Sequence, residues 1–113
     1  VYGDGSNWRP FIHVRDAARA YAAAALEPEA WPARVYNVGA NAENYRIREI
    51  AAVVREELSR DLDVTYLEDE QPGPSYHVNF DRLAETGFET EWTLREGIRG
   101  IANELTGTEA FNA

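Results

Sequence analysis

Three side chains that can bind a ligand or move a proton lie close together near the amino terminus: Arg9, His13 and Asp16. They surround the junction between an apolar, strand-like segment at residues 11–14 and an alanine-rich, helix-like segment at residues 15–26. Small-molecule sites often form where such a junction presents polar groups on a rigid scaffold. The junction is therefore the first candidate for a ligand site.

Arg9 is the leading candidate for a ligand contact. Its guanidinium offers forked donors that match a phosphate or a diphosphate, and the apolar segment that follows would fix its position. The alternative is a surface arginine that pairs with Asp4 or Asp16. The sequence predicts a ligand-binding role and leaves the ion pair open.

Phe11 and His13 fall on one face of the strand-like segment if its residues alternate. His13 can donate to a ligand, but a hydrogen-bonded structural histidine is the preferred interpretation. Asp16 can pair with Arg9 or accept from backbone amides, so a structural role is predicted for it as well.

Tyr76 and His77 follow a loop at residues 68–75 that carries two prolines and a glycine. A tyrosine offers a stacking face and a hydroxyl, so the two side chains can contact a bound sugar or base. The alternative is that Tyr76 covers a sheet edge while Val78 and Phe80 anchor the loop.

Other chemistries find little support in these residues. The chain has no cysteine, which excludes disulfides and thiolate sites. The two histidines, His13 and His77, match no known ligand spacing with Asp16 or Asp81, so no metal site is expected. Ser6 lacks the second glycine of a nucleophile elbow, which argues against a serine hydrolase.

The formal net charge is −9, and all eleven basic residues are arginine. An acidic surface repels phosphate backbones, so nucleic-acid binding is not expected. The apolar run at residues 21–26 is too short to span a membrane, and no signal-peptide pattern opens the chain. These features predict a cytoplasmic protein with a solvated surface.

A length of 113 residues supports one compact domain, which we assign to residues 1–105 with a tail at 106–113. The chain contains no methionine and begins within a strand-like pair of residues. Removal of an initiator methionine explains these features as well as a fragment of a larger protein does, so they leave both possibilities open.

Apolar spacing and turn residues predict alternating strands and helices, and hence an α/β fold. Gly87 is expected to end the short helix, and Thr93 with Glu96 forms a capping-box pattern before the last one. The predicted strands are residues 1–2, 11–14, 35–38 and 64–67; the predicted helices are 15–26, 46–59, a short one through Ala84 that Asn79 or Asp81 caps, and 94–105.

In order and spacing, several short motifs together resemble the extended short-chain dehydrogenase/reductase family, in particular its NAD-dependent nucleotide-sugar epimerases and dehydratases. They are Val-Tyr-Gly-Asp-Gly at 1–5, Arg-Pro-Phe-Ile-His-Val at 9–14 with Asp16, Tyr-Asn-Val-Gly at 36–39, Ile-Arg-Glu-Ile at 47–50, Gly-Phe at 87–88, and Trp92 with Thr-Leu-Arg-Glu-Gly-Ile at 93–98.

The resemblance implies a carboxy-terminal, substrate-binding lobe without the main Rossmann lobe. In the family, a glycine-rich fingerprint binds NAD and a Tyr-x-x-x-Lys pair carries the acid/base step. The chain has no such fingerprint and no lysine. The resemblance therefore implies that NAD is bound by the parent enzyme, and that this chain alone holds no cofactor, no catalytic residue and no competence for the reaction.

For individual residues, the resemblance implies that Arg9 contacts the diphosphate of a nucleotide-sugar, with Phe11, Tyr76 and His77 as further substrate contacts. Relatives often carry a second arginine beside the tyrosine that corresponds to Tyr76, and here that arginine is missing, so His77 is a candidate substitute. The remaining assigned positions hold the junction together: His13, Asp16, Asn37 and Gly39.

Two other functions remain open at this point. One is a self-standing, non-catalytic binding or assembly module, and the other is part of a related reductase that acts on a non-sugar substrate. The partners implied by the leading hypothesis are a nucleotide-sugar and the missing Rossmann lobe. Without that lobe, open strand edges predict self-association of the isolated chain.

Overall fold

The computed structural model describes residues 1–58 and 60–106, and within them the chain forms a small mixed α/β fold. Two short strands form one antiparallel ribbon, and four α-helices surround it. The elements are β1 (Trp8–Pro10), α1 (Val14–Leu26), β2 (Asn44–Arg46), α2 (Ile47–Glu57), α3 (Asp81–Ala84) and α4 (Leu94–Thr106), with 3-10 turns at Pro28–Ala30 and Asn41–Glu43.

The ribbon fixes the start of α2. Strand β2 runs directly into this helix, and the backbone N–H groups of Ile47 and Arg48 donate to the carbonyls of Asn7 and Gly5 at 3.0 and 2.9 Å. Gly5 has a φ of +72°, and a Cβ there would lie 2.8 Å from the Cβ of Arg48. A glycine is required at this turn for both reasons. The register pairs Trp8 with Arg46, Arg9 with Tyr45, and Pro10 with Asn44.

None of the four predicted strands forms with its predicted bounds, and residues 1–2 take part only in an isolated bridge to Leu67. Residues 11–13 lie outside any strand and Val14 begins α1, while the paired strand lies just upstream at β1. Residues 35–38 have no strand partner within the part of the chain that the structure describes. At residues 64–67 only an isolated parallel bridge forms, between Tyr2 and Leu67. Apolar composition favours a strand, but a strand also needs a neighbour with which to pair.

The four helices are confirmed within a few residues of their predicted bounds. The Thr93 N–H donates to the Glu96 carboxylate at 3.1 Å and the Glu96 N–H donates to the Thr93 hydroxyl at 3.2 Å, which is the predicted capping box. Gly87 has the left-handed φ of +83° expected after α3. Thr106 still belongs to α4, and the rest of the predicted tail lies outside the described residues.

The apolar core is small. Among the described residues, the buried apolar side chains are Ala20 of α1, Phe80, and Leu83 of α3. A Cβ at Gly39 would lie 2.6 Å from the Phe80 ring, so the backbone at Gly39 packs directly against that ring. Charged pairs join α4 to α2 at the surface, where Glu57 accepts from Arg95 and Arg99.

Helix α1 exposes one apolar face. Asp16 and Ala20 are buried on its inner side. On the opposite side, Val14 and Tyr21 are 76% and 82% exposed, and Leu26 near the carboxyl end is 81% exposed. Exposed apolar side chains that share one face mark a surface that other protein often covers.

Candidate ligand site

Arg9 and Tyr76 lie against each other at the centre of the candidate site. The Arg9 guanidinium lies 4.6 Å from the centroid of the Tyr76 ring, and its Nη1 donates to the Trp8 carbonyl at 2.7 Å. Stacking on an aromatic face and one backbone contact hold a guanidinium in place without neutralising it. Among the described residues, the remaining N–H groups of the Arg9 guanidinium have no hydrogen-bond acceptor. The Tyr76 hydroxyl has no hydrogen-bond partner in the same residues.

The alternative ion pairs of Arg9 are not formed. Asp4 instead accepts from the Ser6 hydroxyl at 2.6 Å and from the Ser6 N–H at 2.9 Å, and these bonds hold the pKa of Asp4 below its ordinary value. Asp16 is turned to other partners. The guanidinium of Arg9 is therefore available for an anion from outside the described chain.

The segment that carries Tyr76 runs beside β1. The Trp8 N–H donates to the Ser75 hydroxyl at 2.9 Å, and the Tyr76 N–H donates to the Trp8 carbonyl at 3.2 Å. The ring of His77 meets the ring of Trp8 edge-on at 5.0 Å, and the Arg46 guanidinium lies 5.0 Å from the Trp8 ring. His77 and Arg46 thus both lie against the Trp8 ring. Tyr76, in contrast, lies against Arg9.

Two asparagines hold the next residues of the same segment. Asn44 of β2 accepts from the Val78 N–H and donates to the Val78 carbonyl, both at 2.9 Å. Asn41 accepts from the Phe80 N–H at 2.8 Å. Trp8 and Asn44 were not among the predicted site residues, since only the tertiary fold brings residues 75–80 beside the ribbon.

His13 and Asp16 form the junction that the sequence predicted as structural. The Nδ1 of His13 accepts from the Arg15 N–H at 3.0 Å and so caps α1, and the imidazole stacks on Trp92 at 4.7 Å. Asp16 is 0% exposed and accepts from the backbone N–H groups of Glu91 and Trp92 at 2.9 and 3.0 Å. Its ion-pair partner is Arg19, at 2.8 Å, so of the two alternatives for Asp16 the structure has the bonds to backbone amides and not the pairing with Arg9.

The other predicted site residues lie apart from the Arg9 and Tyr76 pair. Phe11 is partly exposed, and its N–H donates to the Glu43 carbonyl at 3.0 Å. Gly39 lies against Phe80, and the exposed Asn37 lines a cavity of about 230 Å³ beside α3. A wider groove of about 710 Å³ between α2 and residues 63–66 contains none of the predicted site residues.

A buried carboxylate beside the site was also missed by the sequence. Glu43 accepts from the Tyr45 hydroxyl at 2.7 Å and from the Leu94 N–H at 2.9 Å, which connects the ribbon to the first turn of α4. Burial, followed by the hydrogen bond to Glu43, raises the pKa of Tyr45 to about 12. Tyr45, the register partner of Arg9, therefore stays protonated and neutral at physiological pH.

In the described ranges, no group of three or more His, Asp or Glu side chains has a metal-binding arrangement. No helix of this part of the chain is both long and apolar enough to cross a membrane.

The sequence and the structure of this chain are both similar to those of known proteins. Residues 1–39 match the NAD dependent epimerase/dehydratase family. The chain resembles the NAD-dependent epimerases and dehydratases. The predicted resemblance is confirmed, and so is a mixed α/β fold that matches part of the epimerase and dehydratase structures.

Three individual relatives define the extent of this epimerase/dehydratase likeness. The low-salt glycan biosynthesis protein Agl12 of Haloferax volcanii is 24% identical over 96% of this chain and 35% of its own length. A dTDP-glucose 4,6-dehydratase from Bacillus anthracis, solved in complex with NAD, has a TM-score of 0.74 at 24% identity, over 98% of this chain and 35% of its own.

The third is a UDP-N-acetylglucosamine 4-epimerase from Methanobrevibacter ruminantium, solved with UDP-N-acetylmuramic acid. Its TM-score is 0.69 at 22% sequence identity. The match covers 93% of the chain described here and 34% of the epimerase chain. The chain described here thus spans about a third of the length of these relatives.

Proposed function

We propose that this chain is the substrate-binding part of an NAD-dependent nucleotide-sugar epimerase or dehydratase, and that Arg9 binds the diphosphate of the substrate. The proposal rests on the Arg9 guanidinium, which is fixed in place but has no carboxylate partner among the described residues. It is held by the Tyr76 ring and by the Trp8 carbonyl, while no described carboxylate neutralises it. A fixed, unneutralised guanidinium is suited to a diphosphate because its paired donors match two phosphate oxygens.

Tyr76 has two roles in this proposal. Its ring orients Arg9, and its free hydroxyl can donate to a phosphate or sugar oxygen. Phe11 and His77 remain proposed substrate contacts. His77 contacts Trp8 rather than Arg9, which argues against His77 as a replacement for the second arginine of the relatives.

The junction residues support the site without contacting substrate. His13 and Asp16 fix the start of α1 and the segment at residues 91–92. Gly39 lets the backbone approach Phe80, and Asn37 lies beside it at the surface. All four are proposed to maintain the shape of this part of the enzyme.

NAD is proposed to bind outside this chain. A dinucleotide-binding turn places closely spaced glycines between a strand and a helix so that the backbone can approach the pyrophosphate. Gly3 and Gly5 instead form the turn before β1, and Gly5 is closed off by Arg48. This geometry supports the proposal that NAD binds elsewhere, and without a Tyr-x-x-x-Lys pair this chain alone is proposed to be inactive.

The partner is proposed to be the rest of the parent enzyme. The exposed apolar face of α1, with Val14 and Tyr21, and the exposed Val35 in an unpaired segment both need cover. The matched relatives are about three times as long, so they contain ample chain to supply it. The cytoplasmic location stays a prediction.

The isolated 113-residue chain is expected to self-associate because these apolar surfaces are open to solvent. Static light scattering across a tenfold range of concentration measures this directly. We expect a mass above 12.7 kDa that rises with concentration. A stable monomer at all concentrations would contradict the proposal that a lobe is missing.

The substrate class is tested by calorimetry on the full-length protein that contains this chain. The ligands are UDP-glucose, dTDP-glucose and UDP-N-acetylglucosamine, with glucose as the control without a nucleotide. We expect at least one nucleotide-sugar to bind and glucose alone not to bind. Failure of all three to bind would reject the proposed function and favour an assembly module or a reductase for a non-sugar substrate.

A further inference from the structure

We propose that Asn44 is a positioning residue for the ligand site, one that holds residues 76–78 beside β1 so that Tyr76 stays stacked on Arg9. The inference rests on the proposed function, because it concerns the same diphosphate site. It adds a residue of β2 whose side-chain hydrogen bonds reach neither Arg9 in β1 nor Tyr76 in the irregular segment after residue 74.

The contacts of Asn44 resemble those of a strand partner. The residue is 7% exposed, and its side chain makes three hydrogen bonds. Its Oδ1 accepts from the Val78 N–H at 2.9 Å, and its Nδ2 donates to the Val78 carbonyl at 2.9 Å and to the Asn41 carbonyl at 3.1 Å. Both backbone polar groups of Val78 are thus satisfied by one side chain.

The position of Asn44 links this contact to Arg9. Asn44 pairs with Pro10 in the ribbon, and Pro10 directly follows Arg9. Val78 lies two residues after Tyr76, whose own N–H donates to the Trp8 carbonyl at 3.2 Å. The segment with Tyr76 and His77 is therefore attached to β1 at one end and, through Asn44, to β2 at the other.

Only an amide of this length can make both bonds to Val78. An aspartate keeps an acceptor for the Val78 N–H but has no donor for the carbonyl, and a leucine of similar volume has neither. A buried N–H or carbonyl without a partner is costly, so loss of the amide favours movement of residues 76–78 away from the ribbon. Such movement would separate Tyr76 from Arg9.

The experiment measures the affinity of the full-length protein for UDP by calorimetry. Asn44→Leu is expected to raise the Kd about tenfold, because small displacements of positioning groups are costly. Asn44→Asp should give an intermediate Kd. Thr93→Ala removes the cap of α4 without touching residues 75–80 and serves as the control for lost stability; we expect it to leave the Kd unchanged.

A double-mutant cycle separates positioning from a general structural effect. If Asn44 acts through Tyr76, then Asn44→Leu adds little to the Kd of Tyr76→Ala. Effects that multiply in the double variant would overturn the proposal, as would an unchanged Kd in a folded Asn44→Leu protein. Absence of UDP binding by the wild type would reject the proposed function itself, which is a distinct result.

If the Asn44 variants do not fold, the same proposal is tested by a measurement on the wild-type protein. Hydrogen exchange of the Val78 amide, followed by NMR without ligand, is expected to be slower than that of an exposed amide because Asn44 holds this N–H in a partly buried hydrogen bond. Exchange at the rate of an exposed amide would overturn the proposal.

Discussion

Arg9→Ala is expected to weaken the binding of a nucleotide-sugar to the full-length protein about 10-fold to 100-fold. A hydrogen bond to a charged group contributes about 1.5–3 kcal/mol, and each 1.4 kcal/mol corresponds to about tenfold in affinity. The Trp8 carbonyl and the Tyr76 ring fix the guanidinium before the ligand arrives, so little is lost in ordering it. Calorimetry with the tightest ligand of the panel measures the change.

Two further variants make this prediction specific. Arg9→Lys keeps the positive charge but loses the planar fork, and we expect an intermediate affinity. Arg55→Ala removes an exposed arginine from α2 and should not affect binding. Wild-type affinity in the Arg9→Ala protein would contradict the diphosphate role.

Asp16→Ala is expected to lower the free energy of unfolding by about 3 kcal/mol or more. Asp16 is fully buried and accepts from the backbone N–H groups of Glu91 and Trp92 and from Arg19. Its removal leaves two donors without an acceptor and separates α1 from the segment that leads into α4. Urea denaturation of the full-length protein, followed by circular dichroism, gives the difference.

Asp63→Ala is the matched control, because Asp63 is exposed in an irregular segment. A surface substitution of this kind is expected to change the free energy of unfolding by about 0.5 kcal/mol or less. Equal stability of the Asp16 and Asp63 variants would show that the buried carboxylate does not hold the junction.

The helices of this chain were predictable because their signals are local. The alanines of α1, the apolar spacing of α2 and the capping box at Thr93 and Glu96 all lie within a few residues of the helices they specify. The strands were not, because a strand depends on a partner that is distant in sequence. Residues 35–38 are apolar enough for a strand, yet no described neighbour pairs with them.

The candidate site was predictable in part for the same reason. Arg9 and Tyr76 were each identified by residue type and motif, but their contact arises only when the segment after residue 74 lies beside β1. Asn44 gave no signal, since an asparagine in a turn-rich stretch is ordinary. The sequence left two sets of partners open for Asp16, Arg9 or backbone amides, and only the tertiary fold brings the amides near residue 91 to its carboxylate.

The central claim, that Arg9 binds the diphosphate of a nucleotide-sugar, is tested most directly by a crystal structure of the full-length protein with UDP. We expect a phosphate oxygen at about 2.7–2.9 Å from the Arg9 guanidinium, with Tyr76 still stacked against it. A diphosphate bound elsewhere, with Arg9 contacting only Trp8 and Tyr76, would contradict it.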